Sequence, residues 1–178
     1  ILSESLTALL PAGHDGIGWL GQSGRVPLGY LGDEAKTGTT FPVIDGVRYA
    51  VPGDRARLTA SGRLELFGRD SVTINSGGEK IFAEEVEQAV LHPPAVTDCV
   101  VAGRPSQRWG SEVVAVVSVS DAEEVDDDDI VAEAARHIAR YKLPKAIIRR
   151  SVLQRSPSGK ADYRWAKEQV AAAGGRAP

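Results

Sequence analysis

Methionine is absent from the 178-residue chain, so Ile1 is not a translational start and the sequence reads as a fragment of a longer protein. Cysteine occurs once, at Cys99, which excludes an internal disulfide. His14, His92 and His137 lie far apart, without the Cys or His neighbours that metal-ligand spacing requires, so no zinc site is expected. Aromatic residues are scarce, at 6%, and neither sign of charge dominates: 21 Lys plus Arg stand against 24 Asp plus Glu. That balance gives no broad basic footprint, and no nucleic acid partner is expected, although local phosphate contacts stay open. Long apolar runs are missing as well. Nothing approaches the roughly 20 residues of a transmembrane segment, and the start has no basic stretch followed by an apolar one. A soluble, cytoplasmic protein is the default expectation.

The composition is that of a globular chain, 42% hydrophobic and 25% charged, long enough for one or two units to bury a core without disulfides or a structural metal. Residues 1–67 are rich in glycine and in short apolar runs, at 16–20, 25–30, 47–51 and 63–67, which predict short strands. Ala60-Ser61-Gly62 between 55–58 and 63–67 predicts a hairpin. Gly68-Arg69-Asp70-Ser71 interrupts this pattern, and a new alternation begins at Val72. Residues 82–92 predict a helix with Val86, Ala89 and Val90 inward, Glu84, Glu85 and Glu87 near its positive end, and His92-Pro93-Pro94 as its stop. The β-branched runs 96–101 and 113–119 predict buried strands, connected through Gly103-Arg104-Pro105 and Trp109-Gly110. Residues 126–140 predict an amphipathic helix on Ile130, Ala134 and Ile138. The acidic residues before and at its start, Glu123, Glu124 and 126–129, read as caps and solvated charge. A strand at 146–152, a helix at 161–172 and a frayed tail at 174–178 complete the reading.

Three glycine-bearing stretches carry candidate chemistry, although each taken alone reads first as a plain turn or surface loop. Tyr49-Ala50-Val51-Pro52-Gly53-Asp54 ends a strand on a carboxylate that can accept from both hydroxyls of a ribose. Ser76-Gly77-Gly78-Glu79-Lys80 follows a strand with adjacent glycines that let a ligand approach the backbone closely. It lacks the spacing of a Walker loop or a dinucleotide fingerprint. Ser156-Pro157-Ser158-Gly159-Lys160 holds a lysine just before the last helix, where it can bring a point charge to a phosphate or a carboxylate, or simply sit on the surface.

In order, these stretches, together with Gly68-Arg69, the block 76–87, the block 101–110 and Arg140-Tyr141-Lys142-Leu143-Pro144-Lys145, resemble the acyl-CoA synthetases of the adenylate-forming superfamily. The likeness covers about residues 16–170 and is strongest to fatty-acid or steroid-side-chain CoA ligases. It implies a parent enzyme that uses ATP, magnesium and coenzyme A to convert a carboxylic acid, a fatty acid or a steroid side chain, to an acyl-adenylate and then to a thioester. It also implies an α+β fold: 1–67 as the last β-subdomain of a large N-terminal domain, 68–71 as a hinge, and 72–178 as a mobile C-terminal domain with a β-hairpin and a three-stranded sheet flanked by helices. The N-terminal domain would be the chain's own partner and would hold most of the magnesium site. By the same resemblance Asp54 and Arg69 would contact the ribose or phosphates, Lys160 would serve adenylation, and Ser76, Gly77, Gly78 and Glu79 would line the pantetheine channel. The hinge pivot falls on Asp70 or Ser71, and Lys142, Lys145, Arg149 and Arg150 are candidates for the phosphates of coenzyme A. Transfer to a carrier protein, or a non-catalytic interaction module, are the alternatives.

Overall fold

Glycine turns and short strands build the first of two compact units, Ile1–Ser71, in the computed structural model, which describes residues 1–120 and 125–174. In chain order this unit holds β1 (Gly18–Trp19), α1 (Glu34–Thr40), β2 (Val43–Ile44), β3 (Val47–Arg48), β4 (Asp54–Leu58) and β5 (Leu64–Arg69). The expected hairpin is present: β4 and β5 pair antiparallel, and β1 joins them in the order β1-β4-β5. A smaller hairpin, β2–β3, turns through Asp45 and Gly46, both at positive φ, as a two-residue turn demands. Leu2, Ile44 and Val51 form the small core, with Trp19 and Tyr49 packed against it.

Two local expectations fail here. Residues 25–30 make no strand beyond one bridge between Tyr30 and Asp33, because Pro27 has no N–H for a ladder and the segment is largely exposed. Helix α1 was not signalled, since it buries no residue. It is instead started by the Asp33 side chain, which accepts from the Lys36 N–H at 2.8 Å.

From Val72 onward the chain forms the second unit. A short 3-10 turn, Asp70–Val72, leads into the hairpin β6 (Ile74–Ser76) and β7 (Glu79–Ile81). Then come α2 (Ala83–Val90), β8 (Val96–Ser106), β9 (Gly110–Val119), α3 (Asp127–Ala134), β10 (Ala146–Arg149) and α4 (Tyr163–Gly174). The sheet order is β10-β9-β8, with β10 parallel and β8 antiparallel to β9. Cys99, Val101, Val113, Ala115 and Val117 face α2 and α3, while Val100, Ala102, Val114 and Val116 face α4. Covering both faces explains why these strands read as near-continuous valine rather than alternating.

The structure corrects several boundaries in this unit. Strands β8 and β9 continue through the supposed connection, and Pro105 is tolerated because β8 is an edge strand. Helix α3 ends at Ala134 rather than residue 140: the N–H groups of Arg136 and His137 turn back three residues, and Ala139 is extended. No glycine or proline marks that stop, so the apolar spacing ran past it. Strand β10 is shorter than expected, ending at Arg149. Helix α4 starts at Tyr163 because the Asp162 carboxylate accepts from the N–H groups of Arg164 and Trp165. At α3, Asp126 makes no side-chain cap, and Asp127 pairs with Arg149 at 2.7 Å instead. Glu123, Glu124 and residues 175–178 of the expected tail lie outside the described residues, whereas Gly174 belongs to α4.

Candidate functional site

In the first unit the pairing of β4 with β5 sets Asp54 opposite Arg69, with 3.4 Å between Asp54 Oδ1 and Arg69 Nε. Gly53 at φ 96° turns the chain into β4, so the carboxylate stands at the very start of a strand. The Asp54 side chain is 24% exposed and that of Arg69 56%, which leaves both accessible to a polar ligand.

Next to this pair, Arg55 is buried and holds the corner together. It donates from Nε to Asp70 Oδ1 at 2.7 Å and from Nη2 to Glu4 Oε1 at 2.8 Å, pairs through Nη1 with Glu4 Oε2, and lies 3.6 Å from the centre of the Trp19 ring. The hydrogen bond to Glu4 raises the Arg55 pKa further against the opposing pull of burial. The Asp70 N–H also donates to Gly53 O at 3.1 Å. Asp70 is therefore fastened to the first unit by backbone and side chain, whereas Ser71, the unit's last residue, is exposed.

The second unit presents its candidates on turns. Gly77 and Gly78, at φ 59° and 89°, are the central residues of the β6–β7 turn, with Ser76 paired to Glu79. This is the two-residue hairpin that sequence reading held open beside the channel role. Gly77 donates its N–H to Trp109 O at 2.9 Å, and a Cβ there would sit 3.0 Å from the Trp109 ring. Gly78 has open space beside it. Trp109, 39% exposed and covered by the Arg108 guanidinium at 4.6 Å, was missed as a partner of this turn. Only its place beside a turn glycine hinted at it.

Lys160 is exposed at the end of a tight loop. Ser156 N–H donates to Lys160 O and Gly159 N–H to Ser156 O, each at 2.8 Å; Lys160 N–H donates to Ser156 Oγ at 3.1 Å, and Gly159 takes φ 79°. An isolated bridge between Arg155 and Ala161 closes the loop. The glycine turn and the lysine loop thus belong to different connections, β6–β7 and β10–α4.

Of the basic candidates, Lys142 is paired with Glu85 at 2.6 Å, Arg149 with Asp127, and Arg150 donates to Gln169 at 2.8 Å; the Lys145 side chain is exposed. Among the described residues no group of three or more His, Cys, Asp or Glu is placed to hold a metal ion.

Glu87, read from sequence as one of three carboxylates near the positive end of α2, is buried. It accepts from the Val101 N–H at 2.9 Å and from the Tyr163 hydroxyl at 3.1 Å, and burial pushes its carboxyl up to about 7. Its position four residues after Ala83 and three before Val90, both buried, was the available signal.

Residues 85–160 match the AMP-binding enzyme C-terminal domain family. The medium-chain acyl-CoA ligase Mig of Mycobacterium avium is 68% identical over 170 residues, 96% of this chain and 31% of that protein. The 3-oxocholest-4-en-26-oate--CoA ligase of Rhodococcus rhodochrous is 46% identical over 95% of this chain and 32% of its own. The solved o-succinylbenzoate CoA synthetase of Bacillus subtilis, in complex with an acyl-adenylate, superposes with a TM-score of 0.76 at 27% identity, covering 86% of this chain and 31% of that one. The chain thus spans about a third of the length of the curated relatives it matches. The AMP-binding C-terminal domain match begins within α2 and ends on Lys160; the Asp54–Arg69 corner lies outside it, within the longer alignments to the ligases.

Proposed function

We propose that this chain is the C-terminal part of an AMP-forming acyl-CoA ligase, with residues 1–67 completing a larger N-terminal domain, 68–71 serving as the hinge and 72–178 as the mobile domain. The observation that carries the reading is the ordered set Asp54, Arg69, Ser76-Gly77-Gly78-Glu79 and Lys160, all at strand ends or turns, in a chain 68% identical to a medium-chain acyl-CoA ligase. The substrate is a fatty-acid or steroid-side-chain carboxylate, and the acceptor is coenzyme A rather than a carrier protein, in keeping with the names of the relatives.

In the first half-reaction a carboxylate oxygen bonds to the α-phosphorus of ATP and pyrophosphate departs. Two anions meet in that step, and the Lys160 ammonium, on its short glycine loop, neutralises the charge as it gathers. Asp54 accepts from the ribose hydroxyls, and Arg69 supplies a cation to the ribose or phosphates. Bound with ATP, magnesium lowers the negative charge on the phosphates; we assign its ligands outside the described residues. In the second half-reaction the thiol sulfur of coenzyme A bonds to the acyl carbon, and the acyl–oxygen bond to AMP breaks. Gly78, with open space beside it, gives the pantetheine arm room, while Gly77 lies against the Trp109 ring. Rotation at 70–71 exchanges one set of contacts for the other, and the anchoring of Asp70 to Arg55 supports Ser71 as the pivot.

Lys160→Ala in the full-length protein tests this. Adenylate formation is expected to fall by about 10²–10³-fold, as when one charge-stabilising donor is removed, while thioester formation from supplied acyl-adenylate and coenzyme A keeps its rate. Wild-type rates in both steps would make Lys160 a surface lysine and overturn the reading.

A further inference from the structure

We propose that the Glu87–Tyr163 hydrogen bond positions Lys160, by mooring the exit of the lysine loop to the open edge of the sheet; this rests on the adenylation role given to Lys160 above.

Lys160 needs a fixed base. Its loop is closed on itself by short turn bonds, one bridge and two long side-chain contacts, Arg155 Nη1 to Gly159 O and Gln154 Nε2 to Asp162 Oδ2, each at 3.5 Å; these hold its shape, and such a loop can swing as a unit about its two ends. Both ends are tied to the same stretch of β8. At the entry, Arg155 donates from Nε to Asp98 Oδ2 at 3.2 Å and pairs through Nη2 with Asp98 Oδ1. At the exit, three residues beyond Lys160, the Tyr163 hydroxyl donates to Glu87 Oε2, whose other oxygen accepts from the Val101 N–H. Strand β8 lies at the edge of its sheet, and the Glu87 carboxyl both satisfies an N–H there and reaches the helix on the opposite face. Asp98 and Val101 are three residues apart on one strand, so the loop is held at two nearby points of a rigid element.

A carboxyl is an expensive group to bury if packing alone is needed, because an aliphatic side chain would fill the same space without desolvation. What it adds is direction: hydrogen bonds fix Tyr163, and through it the first turn of α4, in angle as well as in depth. Positioning matters steeply here, since a displacement of about 1 Å can slow a reaction about 10²-fold. Glu87 and Tyr163 are positioning residues, and neither is placed against the reacting atoms.

The test uses the full-length enzyme and both half-reactions. Tyr163→Phe keeps the ring that packs in both apolar clusters and removes only the donor. It should lower kcat for adenylate formation about tenfold, with KM for ATP within about twofold and the thioester step from supplied acyl-adenylate unchanged. In a Lys160→Ala background the same substitution should cause no further loss, because the residue it positions is gone. Glu87→Gln, which still offers an acceptor and a donor, should stay within about threefold of wild type, whereas Glu87→Leu should match Tyr163→Phe. Equal slowing of both half-reactions, equal slowing with and without Lys160, or no slowing by Tyr163→Phe would each overturn the positioning role while leaving the Lys160 reading intact. If Lys160→Ala itself spared adenylation, both would fall together.

Discussion

The two units solve the problem of burial in opposite ways. The second closes its own core: three strands are covered on both faces, and Val86, Val90, Ile130 and Val170 are sealed by neighbours within the unit. The first has a core centred on Leu2, Ile44 and Val51 and leaves Leu28, Leu31 and Leu66 at 84%, 106% and 62% exposure. Its firmest interior feature is the Arg55 cation, gripped by Glu4, Asp70 and the Trp19 ring. One unit is thus held by apolar packing and the other by a charged knot, and exposed leucines on the knotted unit fit its proposed place at the margin of a larger domain.

The contrast can be broken first at Arg55. Arg55→Ala empties a buried site against the Trp19 ring and removes the hydrogen bonds to Glu4 and Asp70, whose carboxylates remain partly exposed, and should destabilise the first unit by about 3 kcal/mol, read in urea by Trp19 fluorescence, while the second unit's transition stays in place. Simultaneous loss of both transitions would mean that the units do not hold separate cores. A paired apolar truncation comes next. Ile130→Ala should cost about 3 kcal/mol, within the range for emptying a sealed site, whereas Leu31→Ala should stay within about 0.5 kcal/mol. Similar losses at the two positions would erase the distinction.

A last test, spread over more than two pH units, sharpens the account of the second unit. Glu84 from the same helix, Cys99 from β8, Arg155 from the lysine loop and Tyr163 from α4 all bear on Glu87, and burial dominates, raising its pKa from 4.5 to about 7. Between those values the folded chain retains a proton that the unfolded chain has released. Stability is therefore greatest below about pH 4.5 and declines as pH rises to about 7, by up to about 3 kcal/mol from this group. Wild type should lose stability relative to Glu87→Gln over that interval in parallel urea titrations. A constant difference from pH 4.5 to 7 would refute the assignment.

Much of this organisation was legible in the sequence because each feature had a local cause. Gly62 marked one hairpin and Gly77-Gly78 another, the valine runs announced strands buried on both faces, and Asp54, Arg69 and Lys160 stood beside turn glycines. What escaped depends on partners remote in the chain. Helix α1 rests on a cap and no apolar stripe; α3 stops without a breaker; Glu87 is inward because Val101 and Tyr163 await it; and Arg55 is buried where Glu4, 51 residues away, meets Asp70 and the Trp19 ring around it. Charge in a sequence defaults to the surface, and only the fold reveals which charges are exceptions.

The β8–β9 hairpin has a mechanical consequence. Asp98 fastens the lysine loop near its base, and Trp109 at its tip grips the glycine turn. Ser106 lies eight residue steps along the strand from Asp98, a span of roughly 27 Å at the rise of an extended chain. The hairpin is a single beam with one tool clamped at each end. The two turns cannot slide toward each other; under the roles proposed for Lys160 and the glycine turn, bringing either to a fixed reaction centre would withdraw the other by nearly the length of the beam. A stiff pair of strands would then impose the order of events as an interlock does, with no signal passing between the two turns.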